Sequence, residues 1–131
     1  MYGACKLASV MPQSNAEEIA HMAARAIIKQ QVAECPPDCI MWGLAGALVG
    51  MTTYYKRFPS EATLSKVREL SHSLLSRSGL GVSSPPTLIR NNVIGLAHGL
   101  CGVALALQKA YEISGCNKLN VADLTDFLYQ S

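Results

Sequence analysis

Four residues of types that bind metals or carry out thiol and proton-transfer chemistry lie in two short motifs. Cys35 and Cys39 bracket "CPPDC", and His98 precedes Cys101 in "HGLCG". Thiolate and imidazole groups are typical zinc ligands, and four of them complete a tetrahedral site. The spacing alone does not bring the two pairs together, so a redox pair or unreactive thiols in the core and loops are alternatives. We predict no bound metal, with zinc as the competing hypothesis.

The pattern of apolar residues predicts helices along the whole chain, and these helices must position the two motifs. No segment alternates with period two, as a half-buried strand would. The first helix, after the cap Asn15, carries an apolar stripe at Ile19, Met22, Ala23, Ala26 and Ile27. Further helices are predicted from the cap Asp38 to about Phe58, from the cap Ser60 to Gly79, from Gly95 to near Gly115, and after the cap Asn120. The predicted fold class is all-α, with about five helices.

Composition and charge indicate which classes of protein the chain can belong to. Half of the 131 residues are hydrophobic and 6% are aromatic, which predicts one helical domain, 1–131, with a largely aliphatic core. The net charge is +2 and the basic residues are scattered singly, so we predict no nucleic-acid partner. The cysteine count of five is odd, and residues 1–13 lack the basic start and apolar core of a signal peptide. We therefore predict a cytoplasmic protein with reduced thiols, in which residues 1–14 are poorly ordered.

Two of the predicted helices repeat one pattern. "GLAGALVGMTTYYK" begins at Gly43 and "GLCGVALALQKAYE" begins at Gly99, 56 residues later, so Gly46 aligns with Gly102. Paired-helix repeats typically stack, because one unit cannot bury its own apolar face. The predicted repeats span about 38–79 and 91–131. A glycine inside a helix costs about 1 kcal/mol relative to alanine, so these four glycines are predicted to let another backbone or a bound substrate approach closely.

The glycine motifs resemble those of a known family. "GLAG" and "GLAHGLCG", each at the head of an apolar helix that a more polar helix follows, are similar to repeats of the lanthionine synthetase C-like proteins. In that family such Gly-x-x-Gly motifs head the inner helices of an α/α toroid, with outer helices between them. "AECPPDCIMWGLAG" resembles the entry into the first inner helix. The resemblance implies that this chain forms part of an α/α-toroid-like stack.

The resemblance also implies a chemistry, which is thioether-peptide biosynthesis. In the family, a zinc-bound cysteine thiolate of a precursor peptide adds to a dehydrated Ser or Thr, and an acid protonates the enolate. His98 matches a family position associated with acid–base chemistry and is the candidate catalytic residue; the alternative is a hydrogen-bonded histidine at a buried helix start. The family's zinc ligands lie in Trp-Cys and Cys-His-Gly motifs, and this chain has neither.

Three functional hypotheses follow. The first is a truncated lanthionine synthetase C-like protein that contributes structure or peptide binding and is not active alone. The second is a small helical adaptor or chaperone that binds a protein partner or itself through an exposed apolar face. Under both, the open edge left by two repeats predicts self-association. The third is a two-span membrane hairpin, because residues 39–55 carry no charge.

Overall fold

The chain is helical wherever its regular structure is described. The computed structural model describes residues 3, 5, 10, 11, 15–32, 40, 41, 43–78 and 95–115. Four helices have defined bounds there: α1 (Ala16–Lys29), α2 (Leu44–Arg57), α3 (Glu61–Ser78) and α4 (Leu100–Ser114). No strand occurs among these residues, and the predicted all-α class is confirmed. The predicted fifth helix lies outside the described residues, as do most of residues 1–14 and their predicted poor order.

α2 and α4 lie side by side and run parallel to each other. At their starts, the Ile40 backbone N–H donates to the Ala97 carbonyl at 3.1 Å. At their ends, the Lys56 ammonium lies 3.5 Å from the Glu112 carboxylate. α3 follows α2 after a short turn, runs back along it, and packs against both α2 and α4. The two helices therefore form an inner pair whose seam α3 covers, as the predicted stack requires.

The core lies where these three helices meet. It consists of side chains that are each at most 1% exposed: Leu44, Leu48, Met51, Val67, Leu70, Leu74, Leu100, Val103 and Leu107. The apolar residues of α3 share the face toward this core, since Val67, Leu70 and Leu74 are in this set and Leu64 and Leu75 are half-buried. Burying one such side chain stabilises the fold by about 1.5–3 kcal/mol, so this cluster holds the inner pair against α3.

α1 packs against α2 and α3 through a different face from the predicted one. Its buried residues are Ala16, Ala20 and Ala24. The predicted stripe is wrong at its start, because Ile19 is 54% exposed and Met22 is 63% exposed, whereas Ile27 at its end packs against the core as predicted. Alanines four residues apart form a narrow seam that lets the α1 backbone lie close to its neighbours. The buried face of α1 is therefore its alanine face, to which Ile28 adds a half-buried side chain near the end of the helix.

A lysine ties the end of α1 to α3. The Lys66 side chain is only 6% exposed. Its ammonium donates to the Gln30 carbonyl at 2.7 Å and lies 2.9 Å from the Glu69 carboxylate. Gln30 is the residue that ends α1, so Lys66 satisfies a carbonyl at a helix terminus where few backbone donors remain.

Three predicted helix ends are confirmed or corrected by their capping geometry. The Thr63 N–H donates to the Ser60 side-chain oxygen at 3.2 Å, which confirms Ser60 as a cap. Gly115 ends α4 with a left-handed φ of 69°, also as predicted. Asn15 occupies the cap position of α1, but its side chain makes no capping hydrogen bond.

The predicted starts of α2 and α4 are too early. α2 begins at Leu44 and not near Asp38, and α4 begins at Leu100 and not at Gly95. In both cases the apolar segment before the helix is a turn, and the glycine that precedes the first helical residue is the cap.

Among the described residues, no helix has the length and apolar composition that crossing a membrane requires.

Candidate functional site

The turns that lead into α2 and α4 have the same structure twice. Their cap residues have nearly equal backbone angles, with φ −135° and ψ −159° at Gly43 and φ −128° and ψ −168° at Gly99. The Ile40 carbonyl oxygen occupies the place that a Cβ at Gly46 would take. The Leu96 carbonyl oxygen does the same at Gly102. Each turn thus folds back onto its own helix six residues later, and only glycine admits the carbonyl.

The two turns also contact each other. The backbone N–H groups of Ile40 and Met41 donate to the Ala97 carbonyl at 3.1 and 3.3 Å. The Ile40 side chain reaches Gly102, where its Cγ1 and Cδ1 atoms lie 3.0 and 3.1 Å from an ideal Cβ position. We call the region formed by residues 40–46 and 95–102 the entry end of the inner pair.

The four glycines proposed as substrate contacts all lie at the entry end. At Gly46 and Gly102 the close neighbour is the chain's own backbone, which gives both glycines a packing role. Gly43 and Gly99 are the helix caps. Substrate contact at these positions stays a prediction.

His98, the candidate catalytic residue, lies in the second turn and is exposed. The helix start that follows it is buried at Gly99 and Leu100, and the alternative of a hydrogen-bonded histidine at a buried helix start stays a prediction. Met41 of the first turn is 58% exposed, and its backbone contacts the residue before His98. Cys101, in the first turn of α4, is a half-buried free thiol. The entry end thus carries an exposed imidazole and an exposed thioether on two turns that are joined by backbone hydrogen bonds.

The described residues do not supply a zinc site. They contain no group of three His, Cys, Asp or Glu side chains that could hold a metal ion. Cys35 and Cys39 lie outside the described residues. His98 and Cys101 share the entry end without further ligands of these types among the described residues, so we derive no step through a metal.

A second polar cluster, missed by the sequence analysis, lies at the opposite end of α2. The Tyr54 hydroxyl and the His21 Nδ1 are 2.6 Å apart, and the His21 ring packs on Phe58 with centroids 4.6 Å apart. The Glu17 carboxylate lies 3.4 Å from the Arg57 guanidinium and 3.7 Å from the His21 Nε2. The only sequence signal was the i, i+4 spacing of two aromatic residues at the end of a helix.

Burial raises the pKa of two groups at this end of the molecule, Tyr54 and Cys5. It raises the pKa of the Tyr54 phenol, an effect that Arg25 partly offsets. Burial also raises the pKa of the Cys5 thiol, and Arg57 offsets part of that increase. Because the thiolate is the nucleophilic form of cysteine, this environment suits packing and not thiol chemistry. The cluster holds α1 against the end of α2.

Comparison with known proteins identifies the family. The family model described as lanthionine synthetase C-like protein matches residues 6–124, which include both entry turns. Searches of the curated proteins and of the solved structures found no match. Because the family match covers more than half of the sequence, the chain belongs to the lanthionine synthetase C-like family.

Proposed function

We propose that this chain binds a peptide at its entry end and serves thioether-peptide modification through that binding, without cyclising the peptide alone. The observation that carries the proposal is the exposure of Met41 and His98 beside the junction of two glycine-headed helices. The membership of a family associated with this chemistry supports it. Two free thiols suit a reducing compartment, so we propose the cytoplasm as its location.

The two side chains suit different parts of a peptide. A flexible thioether packs against apolar side chains of varied shape. An imidazole donates or accepts a hydrogen bond, and in the chemistry of the family it is also the group that could deliver a proton to an enolate. The backbone hydrogen bonds between the two turns hold the points from which both side chains extend, which lowers the entropic cost of ordering the turns on binding.

Fluorescence anisotropy with a labelled peptide tests the proposal. The probe contains one cysteine and one dehydroalanine, the two groups that a thioether bridge joins. We expect saturable binding that Met41→Ser and His98→Ala each weaken severalfold. Met22→Ser is the matched control, because Met22 is as exposed as Met41 but lies on α1. Absence of saturable binding, or equal weakening by all three variants, would overturn the proposal.

The second candidate is an adaptor that binds a partner through an apolar helix face. The exposure of Ile19 and Met22 on α1 favours it. The same titration separates the two functions. Weakening by Met22→Ser, with no effect of Met41→Ser, would place the binding surface on α1, as the adaptor requires.

A further inference from the structure

The two entry turns have the same backbone but differ in what covers them. At Gly102, the Ile40 side chain lies against the helix and the glycine is buried. At Gly46, the nearest atoms are all from the Ile40 backbone, out to 3.6 Å, and the glycine is only half-buried. Within 3.6 Å, the first glycine therefore has no counterpart of the Ile40 side-chain contact that the second receives from the preceding repeat.

The matching side chain is exposed on the same molecule. Leu96 is the counterpart of Ile40, since each provides the carbonyl that lies on the glycine six residues later. Ile40 is half-buried because it reaches the next inner helix, whereas Leu96 is 59% exposed. One chain thus carries an exposed side chain at one edge of the inner pair and an uncovered glycine at the other.

At the far end of α2 and α4, the proposed contact between copies would also bring opposite charges together. Lys56 and Glu112 occupy equivalent positions of the two repeats, 56 residues apart, and they pair within the chain. If the arrangement continues into a second copy, Glu112 of one copy faces Lys56 of the next. Two like charges there would oppose association, and opposite charges favour it.

α1 supplies further exposed apolar side chains near the far end of α2, where His21 contacts Tyr54. Within the chain, α3 packs against both inner helices, while α1 packs against α2 and α3 and leaves Ile19 and Met22 exposed. An inner helix placed on the open side of α2 would lie along α1, as α4 lies along α3. It would cover these two side chains.

We propose that the occupant of this edge is a second copy of the chain, docked with its α4 parallel to α2. Leu96 of one copy packs on Gly46 of the next, and Glu112 pairs with Lys56. The contact continues the α2–α4 interface already present within the chain, and it uses neither Met41 nor His98, the two side chains proposed to bind the peptide. It joins two different surfaces, so repetition gives either a closed ring or an open chain of copies.

Sedimentation of the chain across a wide concentration range is the first test. We expect a mass that rises with concentration above that of one chain. Leu96→Ser should weaken association about tenfold or more, because it removes a buried apolar side chain from the contact. Met41→Ser is the control, since Met41 is equally exposed but lies on the seam within one chain. A mass of one chain throughout, or equal effects of the two variants, would overturn the proposal.

A charge exchange tests the register itself. In the double variant Lys56→Glu, Glu112→Lys, opposite charges still face each other, both within one chain and between two copies of the variant. Mixed with the wild type, it places like charges against each other at every junction between unlike chains. We expect each protein to associate with itself and the two to mix severalfold less well, measured by energy transfer between differently labelled chains. Equal mixing would contradict the register, and the proposal would fail with it.

Discussion

The two ends of the inner helix pair are held together by different kinds of contact. At the entry end, backbone packs on backbone: carbonyls lie on Gly46 and Gly102, and amides of one turn donate to the carbonyl of Ala97. At the opposite end, side chains make the contacts, as His21 does with Tyr54. The difference shows how one short chain divides its tasks. At the entry end, backbone contacts hold the structure and side chains such as His98 stay exposed. At the opposite end, the side chains themselves stabilise the fold.

The largest effect is expected from adding a single methyl group at the entry end. Gly102→Ala or Gly46→Ala places a Cβ where a carbonyl oxygen lies, and backbone cannot move aside cheaply. We expect a loss of about 3 kcal/mol in the free energy of unfolding, measured by urea denaturation. Gly95→Ala is the control, because no atom lies within 4 Å of its Cβ position, and it should change stability by less than about 0.5 kcal/mol. Equal losses for Gly102 and Gly95 would mean that the contact does not decide this end.

A buried side-chain contact should rank next. Lys66→Met keeps the apolar stem but leaves the Gln30 carbonyl without its ammonium donor. Hydrogen bonds to charged groups are worth roughly 1.5–3 kcal/mol, so we expect a loss of about 2 kcal/mol in thermal or urea unfolding. Arg68→Met, on the same helix, removes only an exposed ion pair with Glu61 and should have little effect. If the two variants were equivalent, burial would not explain the strength of the Lys66 contact.

Tyr54→Phe should have a smaller effect that changes with pH. Removing the hydroxyl costs about 1 kcal/mol near neutrality, because His21 loses its partner. Burial raises the pKa of Tyr54 above its usual value of 10.0, so the folded state favours the neutral phenol. The wild type should therefore keep this stability below pH 10 and lose it as pH rises through the folded pKa, while the variant does not.

Urea denaturation at neutral and at high pH measures this difference. The advantage of the wild type over Tyr54→Phe should shrink at high pH. Tyr55→Phe serves as the control, because it removes a hydroxyl one residue along the same helix. A wild-type advantage that grows with pH would contradict the assigned role of burial.

The sequence predicts the parts of this fold that depend on local chemistry. The cap at Ser60, the left-handed end at Gly115 and the apolar face of α3 follow from residue type and spacing. It does not predict where α2 and α4 begin, because the preceding turns are as apolar as the helices. It also misses the His21 contact with Tyr54, which joins residues 33 positions apart. Such a contact depends on how helices pack, and no local pattern encodes it.

The face of α1 is the clearest failure of hydrophobic periodicity. Ile19 and Met22 are more hydrophobic than alanine, yet the alanine face is buried. Periodicity finds the apolar residues of a helix, but it does not say which of them face a neighbour: Ile27, near the end of the same helix, packs against the core. The close approach of backbone at Gly46 and Gly102 was predicted, because a glycine inside a helix needs a packing or functional reason, whereas substrate contact there stays a prediction.

The smallest change in stability is expected at His98. His98→Ala removes an exposed ring from a turn that backbone contacts hold in place, so the free energy of unfolding should change by less than about 0.5 kcal/mol. His21→Ala should cost about 1–2 kcal/mol in the same urea measurement, because it removes the partner of Tyr54 and the packing on Phe58. If His98→Ala leaves stability unchanged but weakens peptide binding, the role of His98 is in binding and not in folding. If instead His98→Ala destabilised the chain as much as His21→Ala, side chains would support both ends alike, and the exposed imidazole would have a structural role.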